Sequence, residues 1–436
     1  MKLILPYGKE TITLEIPEKN LLGVLKPNPP KTKEKIDIEN LKLTLRCFLK
    51  DGKNILVIVN DYTRPTPTAE IISMIEPEIK NFNFRFIVAC GSHRGPMPDE
   101  LVQIFGKYTE LYKNKILIHD AKDNTKLKFL GKTRRGIPVW LNQAVWEADK
   151  IIAINSVEPH YFAGFTGGRK SFLPGVSGLE TITANHKLSL QPQAKTLALE
   201  GNPVNEDMIE IAQMVPRDIF SIQVVIDPAP ISKRPDKGIT DFGAKSKEPE
   251  NRCGASDKHQ IYSIRYGDIF DTLKVASEDA KKIFCVPIKE KADIAVALIQ
   301  EPYDINFYQS QKGMENAKLA LKDKGIMITA SHCRKGIGDD EFIRAIAGTK
   351  TAKEVLSKIN KEFKLGHHKS AKLVETMMWA EIWTVMPIDD KIIESVFMKP
   401  FHNLNVALAK ALEKKGKDAK IIILLDASLT VPLVQQ

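Results

Sequence analysis

Four short polar segments of this chain hold residue types that can move protons, grip anions or bind metal. The densest is Glu158–Gly175, which sets His160, Arg169 and Lys170 among four glycines. Glycines at that density cost conformational entropy and mark places where backbone comes close to a ligand. Lys170 follows a glycine pair and an arginine, and a lysine there can clamp phosphate or act as a covalent nucleophile. The spacing fits neither the Walker loop G-x-x-x-x-G-K-[ST] nor G-x-G-x-x-G. His186 comes 16 residues after Lys170, on a helix expected to start near Leu179. It has no histidine four residues on and no nearby cysteine. A metal site built from protein alone is therefore disfavoured, whereas a metal whose other ligands belong to a cofactor is allowed.

The other segments also follow apolar runs. Asp61-Tyr62-Thr63-Arg64-Pro65-Thr66-Pro67-Thr68 comes directly after Ile55–Asn60. Thr66 can cap a helix with Pro67 at its first position, leaving N–H groups suited to an anion, with Arg64 alongside for phosphate or carboxylate. An ordinary capped turn explains the same residues. Gly91-Ser92-His93-Arg94-Gly95 places a histidine at a strand end, where its near-neutral pKa suits proton transfer. In Asp304–Gly313, Gln309 and Lys312 are three apart on an expected helix and share a face. An amide beside an ammonium can hold a carboxylate, although a solvated helix face is the plainer reading. Ser331–Gly336 follows another strand and carries less weight.

These segments need a scaffold. Apolar runs at 54–60, 84–90, 115–119, 150–155 and 220–227 alternate with amphipathic stretches, the pattern of strands covered by helices on both faces. A second series has strands at 293–298, 325–330 and 382–386, with helices near 307–321, 340–347, 352–363 and 369–378. The expected fold is α/β: two α/β domains with mostly parallel sheets and an active-site cleft between them. Residues 1–270 would form the first domain and 271–414 the second. The strand 420–425 would return to the first within 415–436. Leu3–Leu5 and Thr11–Ile16 read as an antiparallel pair turned at Gly8-Lys9. The stretch 228–262, rich in Pro, Gly, Lys, Asp and Ser, reads as a long loop or insertion. Strand ends in such sheets are where ligands bind.

Bulk properties narrow the function. In 436 residues, 64 Lys and Arg against 54 Asp and Glu give a net charge of +10. The cations are interspersed with acids instead of forming one basic arm, which fits a solvated surface and not a nucleic-acid track. The five cysteines are scattered and never form C-x-x-C, against a disulfide framework or a thiolate zinc site. A reducing cytoplasm is the expected compartment. No run approaches the roughly 20 apolar residues of a membrane span, and Pro6 and Gly8 break the N-terminal apolar run too early for a signal peptide. From residue types alone, a nucleotide-dependent oxidoreductase or phosphotransferase stays open, as does a non-catalytic anion- or metal-binding protein. The missing nucleotide loops count against the first, and the loop histidines count weakly against the second.

Taken together, the motifs resemble the nickel-pincer lactate racemase family. The resemblance rests on Asn60–Pro67, Gly91–Arg94, Glu158–Gly175, Asn185-His186 and Asp304–Lys312, five pieces in the family's order and spacing. It implies a racemase or epimerase of a 2-hydroxy acid that works by reversible hydride transfer. The implied cofactor is a nickel-pincer nucleotide, a nicotinic-acid-derived mononucleotide with two thio-acyl groups and nickel. By resemblance Lys170 carries it covalently and His186 is the nickel ligand. Asp61, Thr63 and Arg64 contact cofactor and active site, and His93 and His160 are the acid–base pair. Gln309 and Lys312 hold substrate, with Arg64 and His368 also facing it. Cofactor-maturation enzymes are the implied partners, and protein made without them would be apo. The family's lactate racemases place a tryptophan near 365–369, where this chain has His367 and His368 and no tryptophan until Trp379 ten residues beyond. A larger or more polar 2-hydroxy acid than lactate is therefore expected, such as a sugar acid or a dicarboxylate.

Overall fold

A computed structural model describes residues 1–8, 10–28, 30, 35–228 and 260–435. The described residues divide into two compact units. One is drawn from Pro30–Asp227 and Gln260–Lys282, the other from Met1–Pro29 and Ile283–Gln436.

The first unit is built on a six-stranded sheet in the order Gln260–Gly267, Asp218–Asp227, Lys150–Ser156, Asn54–Asn60, Asn83–Ala89, Ile116–Ile118. All neighbours are parallel except the first pair. In these strands Ile55–Val59, Phe86–Val88 and Ile151–Ile154 are continuous buried apolar runs, because helices cover both faces. Helix Ile38–Leu49 shows how those helices form: Asp37 caps it by accepting from Asn40 N, and Leu41, Leu45 and Leu49 make one buried stripe. Each such leucine contributes about 1.5–3 kcal/mol when fully buried. Register matters most for function. Ile55 is level with both Phe84 and Lys150, and Asn60 with Ala89. The three strands therefore end together, and the segments beginning at Asp61, Cys90 and Val157 leave the same edge of the sheet.

The second unit has a fully parallel six-stranded sheet, Lys399–Phe401, Glu381–Val385, Leu321–Ala330, Ala292–Leu298, Ile421–Leu424, Leu21–Leu25. The N-terminal hairpin pairs Lys2–Tyr7 with Glu10–Glu15 as expected, and Leu3, Leu5, Leu14 and Ile16 enter this unit's core. The expected domain division is therefore corrected. The last strand does not return to the first domain; the N-terminus joins the second unit instead. Ile421–Leu424 is buried along its whole length, so it needs a strand on each side, and Ala292–Leu298 and Leu21–Leu25 supply them. Of the expected 228–262 insertion, 229–259 lie outside the described residues, while Gln260 begins an edge strand. The short strands Leu127–Lys132 and Pro138–Asn142, which pair as a hairpin, have no counterpart in the sequence reading.

Candidate active site

In the first unit, the shared sheet edge brings the strand-end segments into contact. The Asp61 carboxylate is almost fully buried. Its Oδ1 accepts from Thr63 N at 3.2 Å and from Thr63 Oγ1 at 2.6 Å. Its Oδ2 lies 2.8 Å from His93 Nδ1. Burial alone would raise this carboxyl, but the hydrogen bond and charge of His93, with Thr63 and Arg64, outweigh it and hold Asp61 below the ordinary carboxylate range. An ionised carboxylate only accepts, so His93 Nδ1 carries the proton and Nε2 is its basic nitrogen. Adjacent to this pair, Arg94 lies 4.5 Å over the Tyr62 ring and makes two 2.6 Å bonds to Glu100. That arginine anchors the loop of His93. Arg64 donates to Glu158 Oε1 at 2.9 Å, tying the first loop to the start of the glycine-rich segment.

One local expectation is corrected here. Thr66 does not cap the following helix, which is Thr68–Ile79 with Pro67 at its N-cap and no side-chain cap. The Thr66 hydroxyl instead lies 2.9 Å from Asn60 Oδ1 and 3.0 Å from Ser156 Oγ. It bridges two strand ends.

The Glu158–Gly175 segment folds onto itself. A Cβ at Gly164 would sit 2.1 Å from the Ala198 carbonyl oxygen, and one at Gly168 2.7 Å from Gln223 Nε2, with both residues at positive φ. These glycines accommodate protein atoms, not a ligand, which corrects the sequence expectation. Arg169 is fully buried and binds this packing together. It donates to Asn205 Oδ1 and to the carbonyl oxygens of Ala163, Thr166 and Gly167 at 2.8–3.3 Å. Lys170 sits on the adjoining single turn Gly168–Ser171, and Ser171 fixes that turn to Asn155 Oδ1 at 2.8 Å.

Phe162 organises the remaining groups. Its ring meets His160 edge-on at 4.6 Å and His186 edge-on at 5.2 Å, and the Lys170 amine lies 5.9 Å from its centroid. His160 also stacks on Tyr161 at 5.1 Å. Its Nδ1 accepts from Ala163 N at 3.3 Å, which puts the neutral ring's proton on Nε2. His93 and His160 thus rest in opposite tautomers. His186 stands near the end of helix Leu179–Lys187. Burial first, then the charge of Lys170, push its pKa down to about 3, so it is neutral at physiological pH.

The second unit holds its own cluster. Asn306 caps helix Phe307–Ala317 by accepting from Gln309 N at 2.8 Å. Lys312, one turn on, is buried, and its Nζ donates to Tyr303 Oη at 2.9 Å. Helix His367–Met377 packs alongside, with Lys369 Nζ donating to Tyr308 O at 2.6 Å and Gln311 Nε2 to Lys369 O at 3.3 Å. His367 and His368 are both buried in its first turn. His367 Nδ1 accepts from Lys364 N at 3.1 Å, and its Nε2 faces Glu341 at 3.7 Å. His367 therefore braces the helix start. Among the described residues, no group of three or more His, Cys, Asp or Glu forms a metal cluster. Sequence reasoning missed Phe162, Glu158, Glu100 and Tyr303 as site-shaping residues. Only the position of Glu158 and Phe162 inside the glycine-rich segment hinted at two of them.

Comparison with known proteins agrees with this arrangement. The family model of the lactate racemase N-terminal domain matches residues 7–197, and that of the lactate racemase C-terminal domain matches residues 288–431. The chain belongs to the lactate racemase family, whose enzymes are isomerases. It is 29% identical to a lactate racemase of Thermoanaerobacterium thermosaccharolyticum over 97% of both chains. It is 28% identical to one of Lactiplantibacillus plantarum, also over 97% of both. The structure of the Thermoanaerobacterium lactate racemase apoprotein superposes with a TM-score of 0.85 at 27% identity, covering 100% of both chains. A Thermotoga maritima protein, at 18% identity and a TM-score of 0.66 over 93% of this chain, shares the fold.

Proposed function

We propose that this racemase-family enzyme interconverts the C2 configurations of a 2-hydroxy acid, with a nickel-pincer nucleotide held on Lys170. The observation that carries the reading is the grouping around Phe162: a proton-transfer histidine, a partly buried neutral histidine and a lysine amine share one aromatic ring. The donors suit the group. A neutral imidazole is the form that binds metal, and His186 is held neutral by burial. A single protein nitrogen beside cofactor carbon and sulfur suits Ni(II), which favours square-planar sites with soft donors. When bound, the cofactor supplies a reversible acceptor for the C2 hydrogen as hydride.

The chain's own residues do the rest. His93, donating its Nδ1–H to the ionised Asp61 carboxylate, offers Nε2 to take the C2 hydroxyl proton. His160, whose Nδ1 is turned to Ala163 N, is the complementary proton-transfer group. A racemase needs one such group for each face of the planar 2-oxo intermediate, each taking the hydroxyl proton as a neutral imidazole and returning it as an imidazolium. Gln309 and Lys312 are the candidates for the substrate carboxylate. His368, buried in the first turn of helix His367–Met377, is the candidate for the far end of the substrate. A polar far end favours a sugar acid or dicarboxylate over lactate. We place the protein in a reducing cytoplasm, which its scattered cysteines, never in a C-x-x-C pair, suit.

The test is to co-produce the protein with cofactor-maturation enzymes. A mass increase localised to Lys170 and one nickel per chain are expected. Absence of both from such protein refutes the cofactor assignment. Lactate, malate, glycerate and gluconate, each enantiopure, then identify the substrate by loss of optical activity or by C2 deuterium incorporation. Faster turnover of lactate than of the other three refutes the substrate reading.

A further inference from the structure

We infer that Tyr303 is a positioning residue that aims and retains the charge of Lys312, the proposed carboxylate-binding lysine. The inference rests on that reading of Lys312. Lys312 is only 7% exposed, and an ammonium taken out of water needs compensating contacts. Tyr303 supplies two. Its hydroxyl oxygen accepts from Lys312 Nζ at 2.9 Å, and its ring centroid lies 4.1 Å from the same nitrogen. Both contacts favour a cation, one as a hydrogen bond to a charged donor and one through the ring quadrupole. Neither brings a negative charge. A phenol in that place holds the amine in one direction without itself adding a negative charge that would compete with the substrate's carboxylate.

The backbone around Tyr303 is fixed in a way that suits this task. Tyr303–Ile305 is a single turn directly before the helix that carries Lys312. Tyr303 N donates to Gln300 O at 2.9 Å, and Gln300 is itself held by Nε2 bonds to Pro6 O and Leu425 O. Tyr303 O lies 3.4 Å from Ser310 Oγ on the helix. Next to it, Asp304 is paired with Arg334 at 2.9 Å, and Arg334 also reaches Glu301 at 2.6 Å. The phenol is therefore carried on a turn pinned from both sides, and Lys312 on the second turn of the helix folds back onto it.

The experiment uses holoenzyme and whichever of lactate, malate, glycerate or gluconate it racemises fastest. Tyr303→Phe keeps the ring and removes the oxygen. Its KM is expected to rise about tenfold with kcat within about twofold of wild type, the signature of lost uniform binding. The double variant Tyr303→Phe/Lys312→Met should be no worse than Lys312→Met alone. Tyr7→Phe, which removes another buried-side hydroxyl of the same unit, bonded to Ser331 O, should leave KM unchanged. An unchanged KM in Tyr303→Phe, or additive losses in the double variant, overturns the role of Tyr303. If Lys312→Met itself leaves KM unchanged, the carboxylate reading fails and takes this inference with it. A rise in KM for Lys312→Met but not for Tyr303→Phe removes only the latter.

Discussion

Replacing Asp61 by asparagine tests how the site makes His93 a base. The side chain keeps its shape and stays within reach of Thr63, so the change is electrostatic more than steric. In the native site Asp61 Oδ2 receives the Nδ1 proton of His93 at 2.8 Å. An amide NH2 facing that nitrogen cannot accept, and the imidazole then keeps its proton on Nε2, where the substrate needs a lone pair. A hydrogen bond to a charged group contributes about 1.5–3 kcal/mol, which at about 1.4 kcal/mol per decade is about 10- to 150-fold in kcat/KM. The assay is C2 hydrogen–deuterium exchange by holoenzyme in D2O, followed by NMR at pH 7, with thermal midpoints recorded to verify folding. A folded Asp61→Asn enzyme within about twofold of wild type would falsify the orienting role of Asp61.

Further outcomes follow from the same geometry. The folded-state pKa of Asp61 is depressed, so its stabilising contribution is present above the unfolded value near about 3.9 and is lost as pH falls through the lower folded value. Wild type should therefore exceed Asp61→Asn in stability at neutral pH by a margin that shrinks below about pH 4, as read from denaturant midpoints; a margin independent of pH contradicts the ionised, buried carboxylate. His186→Ala, produced with the maturation enzymes, should keep the added mass on Lys170 but lose nickel in elemental analysis; full nickel retention rules out His186 as its protein ligand. Arg169→Leu strands the oxygens of Ala163, Thr166, Gly167 and Asn205 inside the loop. It should cost about 3 kcal/mol or more of stability, and calorimetry showing less than about 1 kcal/mol would mean the loop packs without it.

Much of the first unit was legible because its strands are continuous apolar runs. Asn54–Asn60, Asn83–Ala89 and Lys150–Ser156 fall within a residue or two of the expected bounds. Helices Phe307–Ala317 and Ala352–Lys361 begin where the sequence expects them, at 307 and 352. The fate of the termini was not. A strand such as Ile421–Leu424 announces that it is buried but not between which neighbours, and pairing is decided by non-local contacts that no local window contains. Thr66 shows the same limit at the scale of one side chain. Its type and position favour a cap, yet a bridge to Asn60 and Ser156 was available only because two strands lie side by side.

The residue types alone set the kinds of chemistry available here: histidines that titrate near neutrality, a lysine that can be a nucleophile, and no self-sufficient metal motif. Tertiary structure decided how those groups are used. Parallel register brings Asp61 to His93 and fixes its tautomer, the backbone of Ala163 sets the opposite tautomer in His160, and burial keeps His186 neutral. It also reversed the reading of the glycines, which make room for Ala198 and Gln223 and so let the loop fold tightly enough to present Lys170. Sequence names the groups; their protonation states depend on partners and burial, and these exist only once distant segments have packed together.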